Sequence, residues 1–110
     1  MSDAISIHRR NDRVLVISVQ DESGAPLNLG AATLAFVVKS PSQVVITKST
    51  SSGGIIVTDA LNGKCEITLT SIDTDLAPGD YNYELLVTDL AGRRYTALEG
   101  LLVVQPSLHA

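Results

Sequence analysis

The sequence predicts an all-β domain, a two-layer antiparallel sandwich of seven or eight strands. Three observations predict it. Short apolar runs alternate with polar residues at a period of two, and no segment keeps a helical period over any length. Turn residues recur about every eight to twelve positions. Of the 110 residues 45% are hydrophobic, chiefly branched aliphatics, with no Trp and Phe36 as the only Phe. A chain of this length forms one domain, and aliphatics of this kind suit pleated strands.

The elements follow in order. Ala4 to His8 reads as a short first strand or an ordered arm, so residues 1–12 form an N-terminal arm or edge strand ahead of a sandwich over 13–105. Arg13 to Gln20 is a strand with Leu15, Ile17 and Val19 on one face. Val14 and Val16 lie on the other, which is expected to be partly covered too. Asp21 to Pro26 is a turn, since Gly24 accepts positive φ and Pro26 donates no ladder bond. Leu27 and Leu29 flank Asn28 before Gly30. Ala32 to Lys39 carries Leu34, Phe36 and Val38 on one face, Ser40 to Gln43 turns the chain, and Val44 to Lys48 returns it.

A polar loop, Ser49 to Gly54, leads to the short strand Ile55 to Thr58. Asp59 to Gly63 makes a tight reversal, with Asn62-Gly63 as its hairpin signal, into Lys64 to Thr70, with Cys65, Ile67 and Leu69 inward. Ser71 to Ala77 reads as one helical turn with Ser71 as its N-cap and Asp73 in the first turn, stopped by Pro78-Gly79. Asp80 to Thr88 places Tyr81, Tyr83, Leu85 and Val87 on one face. Asn82, Glu84 and Thr88 mark the other, and Leu86 breaks its polarity. Asp89 to Gly92 turns into Arg93 to Val104, where Gly100 predicts a bulge or a close backbone crossing. Residues 106–110 form a tail.

Each strand must bury its apolar face against a second layer. Burying one large aliphatic gains about 1.5–3 kcal/mol, so a dozen of them dictate the architecture. In immunoglobulin-like sandwiches a Tyr just after a crossing between sheets bonds back to the backbone a few residues upstream. Tyr81 is placed for that role and Tyr83 is the second choice. Both share a face with Leu85 and Val87, which favours a structural role over sugar stacking.

The chemistry-bearing residues are sparse. Cys65 rules out an intramolecular disulfide and reads as a small buried apolar residue. His8 and His109 stand at opposite ends of the chain and make a poor metal site. Asp73, Asp75 and Asp80 lack the Gly and distal Glu of a calcium loop, and Asp59 with Asn62 reads as a pair of turn formers. No catalytic residue, metal or cofactor is expected. The net charge of −4 weighs against a nucleic-acid partner, because Asp3, Asp12, Asp21 and Glu22 interrupt the basic group His8, Arg9, Arg10 and Arg13. No apolar run spans a membrane and no signal peptide is recognisable, so the protein is expected to stay in the cytosol or to leave within a larger particle.

The turn signals come in a specific order: Asp21, Gly24, Pro26, Leu27 and Leu29, then Gly30-Ala31-Ala32-Thr33. Asp59 and Gly63 follow, then Leu69-Thr70, Pro78-Gly79-Asp80-Tyr81-Asn82-Tyr83-Glu84, Thr88-Asp89-Leu90-Ala91-Gly92 and Gly100. From about Arg13 to Val104 this order resembles a family of small immunoglobulin-like domains in tailed-bacteriophage structural proteins, including the N-terminal domain of baseplate upper proteins. An extra Ala in the Gly-Ala-Thr segment is the one departure. The resemblance implies an immunoglobulin-like fold and a non-enzymatic virion component of a tail, baseplate, neck or capsid surface. Its expected partners are other virion proteins or further copies of itself. Members that continue into further domains contrast with an end at Ala110, which favours a small adaptor or decoration subunit. The alternative is a carbohydrate- or receptor-binding module, which needs exposed aromatics such as Tyr83 beside Tyr95. A small enzyme would need a deep polar pocket around His8.

Overall fold

The computed structural model describes residues 4–20, 23–30, 32–89 and 91–106. Asp21 and Glu22 of the first turn, Ala31, Leu90, residues 1–3 and residues 107–110 of the tail, His109 among them, lie outside the described residues.

Eight strands are described: β1 (Ile5–His8), β2 (Arg13–Ser18), β3 (Thr33–Lys39), β4 (Val44–Ser49), β5 (Ile55–Asp59), β6 (Lys64–Leu69), β7 (Gly79–Thr88) and β8 (Arg94–Gln105). They form a five-stranded sheet in the order β1-β8-β7-β3-β4 and a three-stranded sheet in the order β2-β6-β5. The alternating apolar residues of both sheets point between the layers. Leu69, Leu85, Val87 and Leu102 have no exposed surface, and Leu34 and Phe36 have 1%. The two-layer sandwich follows directly from that alternation.

All pairs are antiparallel except one. β1 runs parallel to β8, from Ile5 opposite Leu102 to His8 opposite Gln105. Short connections predict antiparallel neighbours, but β1 crosses to the far end of the chain instead of pairing with β2. β1 forms one edge of the five-stranded sheet. The segment after it is tied down by the loop between β6 and β7. Thr74, fully buried, donates its hydroxyl to the Asn11 carbonyl at 2.8 Å, and the Ser71 N–H donates to the Asp12 carboxylate at 2.7 Å.

That loop forms no helix. The Thr74 N–H closes a single turn on the Thr70 carbonyl at 3.0 Å. Its capping residue is Thr70, not Ser71. The Thr70 hydroxyl accepts the Asp73 N–H at 3.2 Å, and the Asp73 carboxylate accepts the Thr70 N–H at 2.8 Å, a reciprocal box one residue earlier than the sequence pattern indicates. The reversal between β5 and β6 is closed by a 3₁₀ turn over Ala60–Asn62, with Gly63 at φ 67°.

Of the bulge or close backbone crossing expected at Gly100, the bulge sits three residues earlier. Leu85 pairs with Leu98 and Leu86 with Thr96, which leaves Ala97 as the extra residue, while Gly100 stays in register opposite Tyr83. Val14 and Val16 are 50% and 72% exposed, so the outer face of β2 is uncovered, contrary to the expectation of partial cover.

Candidate functional site

The ionisable residues singled out in the sequence are dispersed. His8 is exposed at the end of β1. Cys65 faces the core from β6, and burial pushes its thiol up to about 11. Asp75 holds the Arg9 side chain at 3.1 Å, Asp59 accepts the Asn62 amide at 2.8 Å, and Asp80 is exposed at the start of β7. Burial pushes the Asp73 carboxyl up, but hydrogen bonds from Lys48 and Thr70 together outweigh it and hold the group below its ordinary value. The Lys48 Nζ stands 2.7 Å from Asp73 Oδ2. Asp59, Asp73 and Asp75 thus serve separate structural tasks. Among the described residues no group of three or more His, Cys, Asp or Glu is placed to hold a metal ion.

The tyrosines divide by role. The Tyr81 hydroxyl donates to the Ala77 carbonyl, four residues upstream, at 2.7 Å. It thereby fixes the chain where it enters β7 from the crossing loop, next to Gly79 at φ 151°. Tyr83 is 4% exposed, and its ring lies 5.8 Å from that of Phe36. Tyr95 is 36% exposed and pairs with Val87, so Tyr83 and Tyr95 do not form a surface pair.

A concave surface lies on the outer face of the five-stranded sheet. Outward positions of β3, β7 and β8, with Tyr83 and Gly100, line an open hollow of about 630 Å³. Ala35, Val37, Leu86 and Leu101 supply its apolar part, and Lys39, Glu84, Arg94 and Glu99 supply charge. Leu101 is 45% exposed. Glu84 and Glu99 face each other across β7 and β8, and the Thr96 hydroxyl donates to Glu84 at 3.0 Å. Sequence reasoning did not assemble this surface. Its one signal was Leu86, an apolar residue on a face otherwise marked as polar. A second groove, of about 430 Å³, separates β1 from β2, with Tyr83 and Leu98 among its lining.

Strand order, the parallel first-to-last pair and the corner tyrosine define an immunoglobulin-like β-sandwich. In the lettering of that fold, β2, β6 and β5 stand where strands B, E and D do, and β3, β7 and β8 where C, F and G do. No family model matches the chain, and no curated protein matches it in sequence. Among solved structures it is similar to a chain in the crystal structure of ICOS in complex with ICOS-L and an anti ICOS-L VNAR domain, with a TM-score of 0.54 at 14% identity. That match covers 94% of this chain and 55% of the other, so this chain spans about half of that one's length. Murine CRIg matches with a TM-score of 0.45 at 9% identity over 94% and 92% of the two chains. A structure from photo-crosslinking work on multimeric cell-adhesive interactions of VGSC beta subunits matches with a TM-score of 0.47 at 12% identity over 96% and 92%. At 14% identity the first of these likenesses bears on the fold alone.

Proposed function

We propose that this protein is a non-enzymatic structural subunit of a tailed-bacteriophage or prophage particle, seated in the tail, baseplate, neck or capsid surface and working through protein–protein assembly. The phage setting rests on the ordered turn motifs from Arg13 to Val104. The assembly role rests on one structural observation, the concave outer face of the five-stranded sheet. It combines apolar residues, with Leu101 45% exposed, and charged ones, Lys39, Glu84, Arg94 and Glu99. Apolar and charged residues are interleaved on this face, with Glu84 and Glu99 opposite each other in the row between Leu101 and Leu86, and protein interfaces combine the two kinds of residue. Exposed apolar patches on a rigid sheet mark binding surfaces.

The test is incorporation. Tailed particles from the encoding organism are purified through a density gradient and probed with antibody raised against the purified chain. Co-sedimentation and labelling of the particles support the reading. A Leu101→Asp variant that folds normally is expected to drop out of the particles at least tenfold. A chain that stays free in the lysate, with unlabelled particles, contradicts it.

A further inference from the structure

Two sheets have four edges, here β1, β4, β2 and β5. An open edge is a template for another strand, and proteins blunt edges by shortness, charge, Pro or bulges. β1 has four residues. β4 and β5 meet their neighbours through register shifts that leave Val45 and Thr58 unpaired. β2 differs. It pairs with β6 over six consecutive residues without a shift, has no Pro, and carries its single charge, Arg13, at its first position.

The backbone of β2 offers a regular set of free groups. The Val19 N–H donates to the Gly63 carbonyl at 2.7 Å, in the register that pairs Ile17 with Cys65. Backbone direction alternates along a strand, so Arg13, Leu15 and Ile17 also face β6. Val14, Val16 and Ser18 face away from the sheet. Among the described residues these three have no backbone partner. A groove separates β1 from this edge, bridged at its end by the Arg13 side chain, which donates to the Ser6 carbonyl at 3.5 Å.

We propose that β2 pairs antiparallel with β2 of a second copy about a two-fold axis at Val16, which joins two three-stranded sheets into one of six. This register sets Val16 against the partner's Val16, and Val14 against the partner's Ser18. Every outward N–H and C=O of β2 then finds a partner. Centring on Leu15 instead would set Val14 against the partner's Val16 and leave Ser18 beyond the partner's strand. On the inner side Leu15 meets the partner's Ile17, and on the outer side the two Val16 side chains cover each other. The two Arg13 residues end about 20 Å apart, at a strand rise near 3.3 Å per residue, and ions screen them from each other. A second copy fits because the strand is apolar on both faces and holds no charge near the axis. The pairing uses a different surface from the concave face, so it stands or falls separately from the proposed function.

The experiment uses the full chain. Sedimentation equilibrium is expected to give a dimer, and Val16→Lys, a change at a 72% exposed position, is expected to give a folded monomer with an unchanged circular dichroism spectrum. Val16→Cys tests the axis directly. Directly opposed residues lie about 4.5–5.5 Å apart, within disulfide reach of about 4.4–6.8 Å. Mild oxidation is expected to yield a covalent dimer, while Ile56→Cys, on β5 and 56% exposed, stays reduced. The buried Cys65 does not compete. A monomeric wild type, a Val16→Lys variant that remains dimeric, or cross-linking at Ile56 and not at Val16 would overturn the pairing. None of these outcomes changes whether the chain is found in particles.

Discussion

The rings of Phe36 on β3 and Tyr83 on β7 lie 5.8 Å apart, inclined at 36°, in the middle of the sandwich. Antibody domains place a cysteine two residues after the corner tyrosine, bridged across the sheets and packed on a tryptophan. In this chain Tyr83 holds the position two residues after Tyr81, and there is no Trp. An aromatic pair therefore occupies the centre. Such pairs contribute about 0.5–1.5 kcal/mol beyond their burial. A double-mutant cycle with Phe36→Leu and Tyr83→Leu, followed by urea denaturation, is expected to give a coupling of about 1 kcal/mol. Full additivity would show that the rings act only as separate bulk.

The corner bond gives a second expectation. Tyr81→Phe removes only the hydroxyl that meets the Ala77 carbonyl at 2.7 Å. Stability should fall by about 1 kcal/mol, with the slope of the urea transition unchanged. An unchanged midpoint would mean that the bond contributes nothing net.

Asp73 makes stability depend on pH. Its folded-state affinity for protons is lower than the unfolded chain's, because the bonds from Lys48 and Thr70 favour the carboxylate. As pH falls, the unfolded chain takes up the proton first, and that favours unfolding. The contribution is complete above the unfolded value of about 3.9 and is lost as pH drops below it through the folded value. Asp73→Ala should cost about 1–2 kcal/mol at pH 7. It should cost markedly less at pH 2.5, as urea midpoints at the two values would measure.

Two glycines with positive φ separate strain from collision. At Gly63, φ 67°, a Cβ would run into the Val19 carbonyl and lie 2.8 Å from the Leu27 carbonyl. At Gly24, φ 87°, a Cβ would meet nothing within 4 Å. Gly24→Ala should therefore cost about 1–2 kcal/mol of backbone strain. Gly63→Ala should cost clearly more, because rigid backbone must move. Equal melting-temperature losses for the two variants would contradict this.

Much of the fold is legible because alternation is a local signal. The strands read from apolar spacing agree with those described to within a residue or two, and Leu69, Leu85 and Val87 face inward by parity alone. Parity states a side, not whether a layer covers it, which is why Val14 and Val16 mislead. The parallel partner of β1 lies almost a whole chain length away, and a four-residue strand carries no mark of it. Gly100 reads as a bulge or a close backbone crossing because glycine suits both; the bulge falls at Ala97, and Gly100 stays in register opposite Tyr83. Thr70 and Ser71 both precede Asp73 plausibly, and only the Asp73 carboxylate's reach back to Thr70 decides between them. The concave face stayed hidden because its residues come from three strands whose neighbours the sequence does not specify.

Residue-resolved amide exchange along β2 tests the edge most directly. In the assembled protein the amides of Val14, Val16 and Ser18 are expected to be as protected as those of Leu15 and Ile17, and dilution should expose the first set alone. Fast exchange at Val14, Val16 and Ser18 at every concentration would show that no strand adds there.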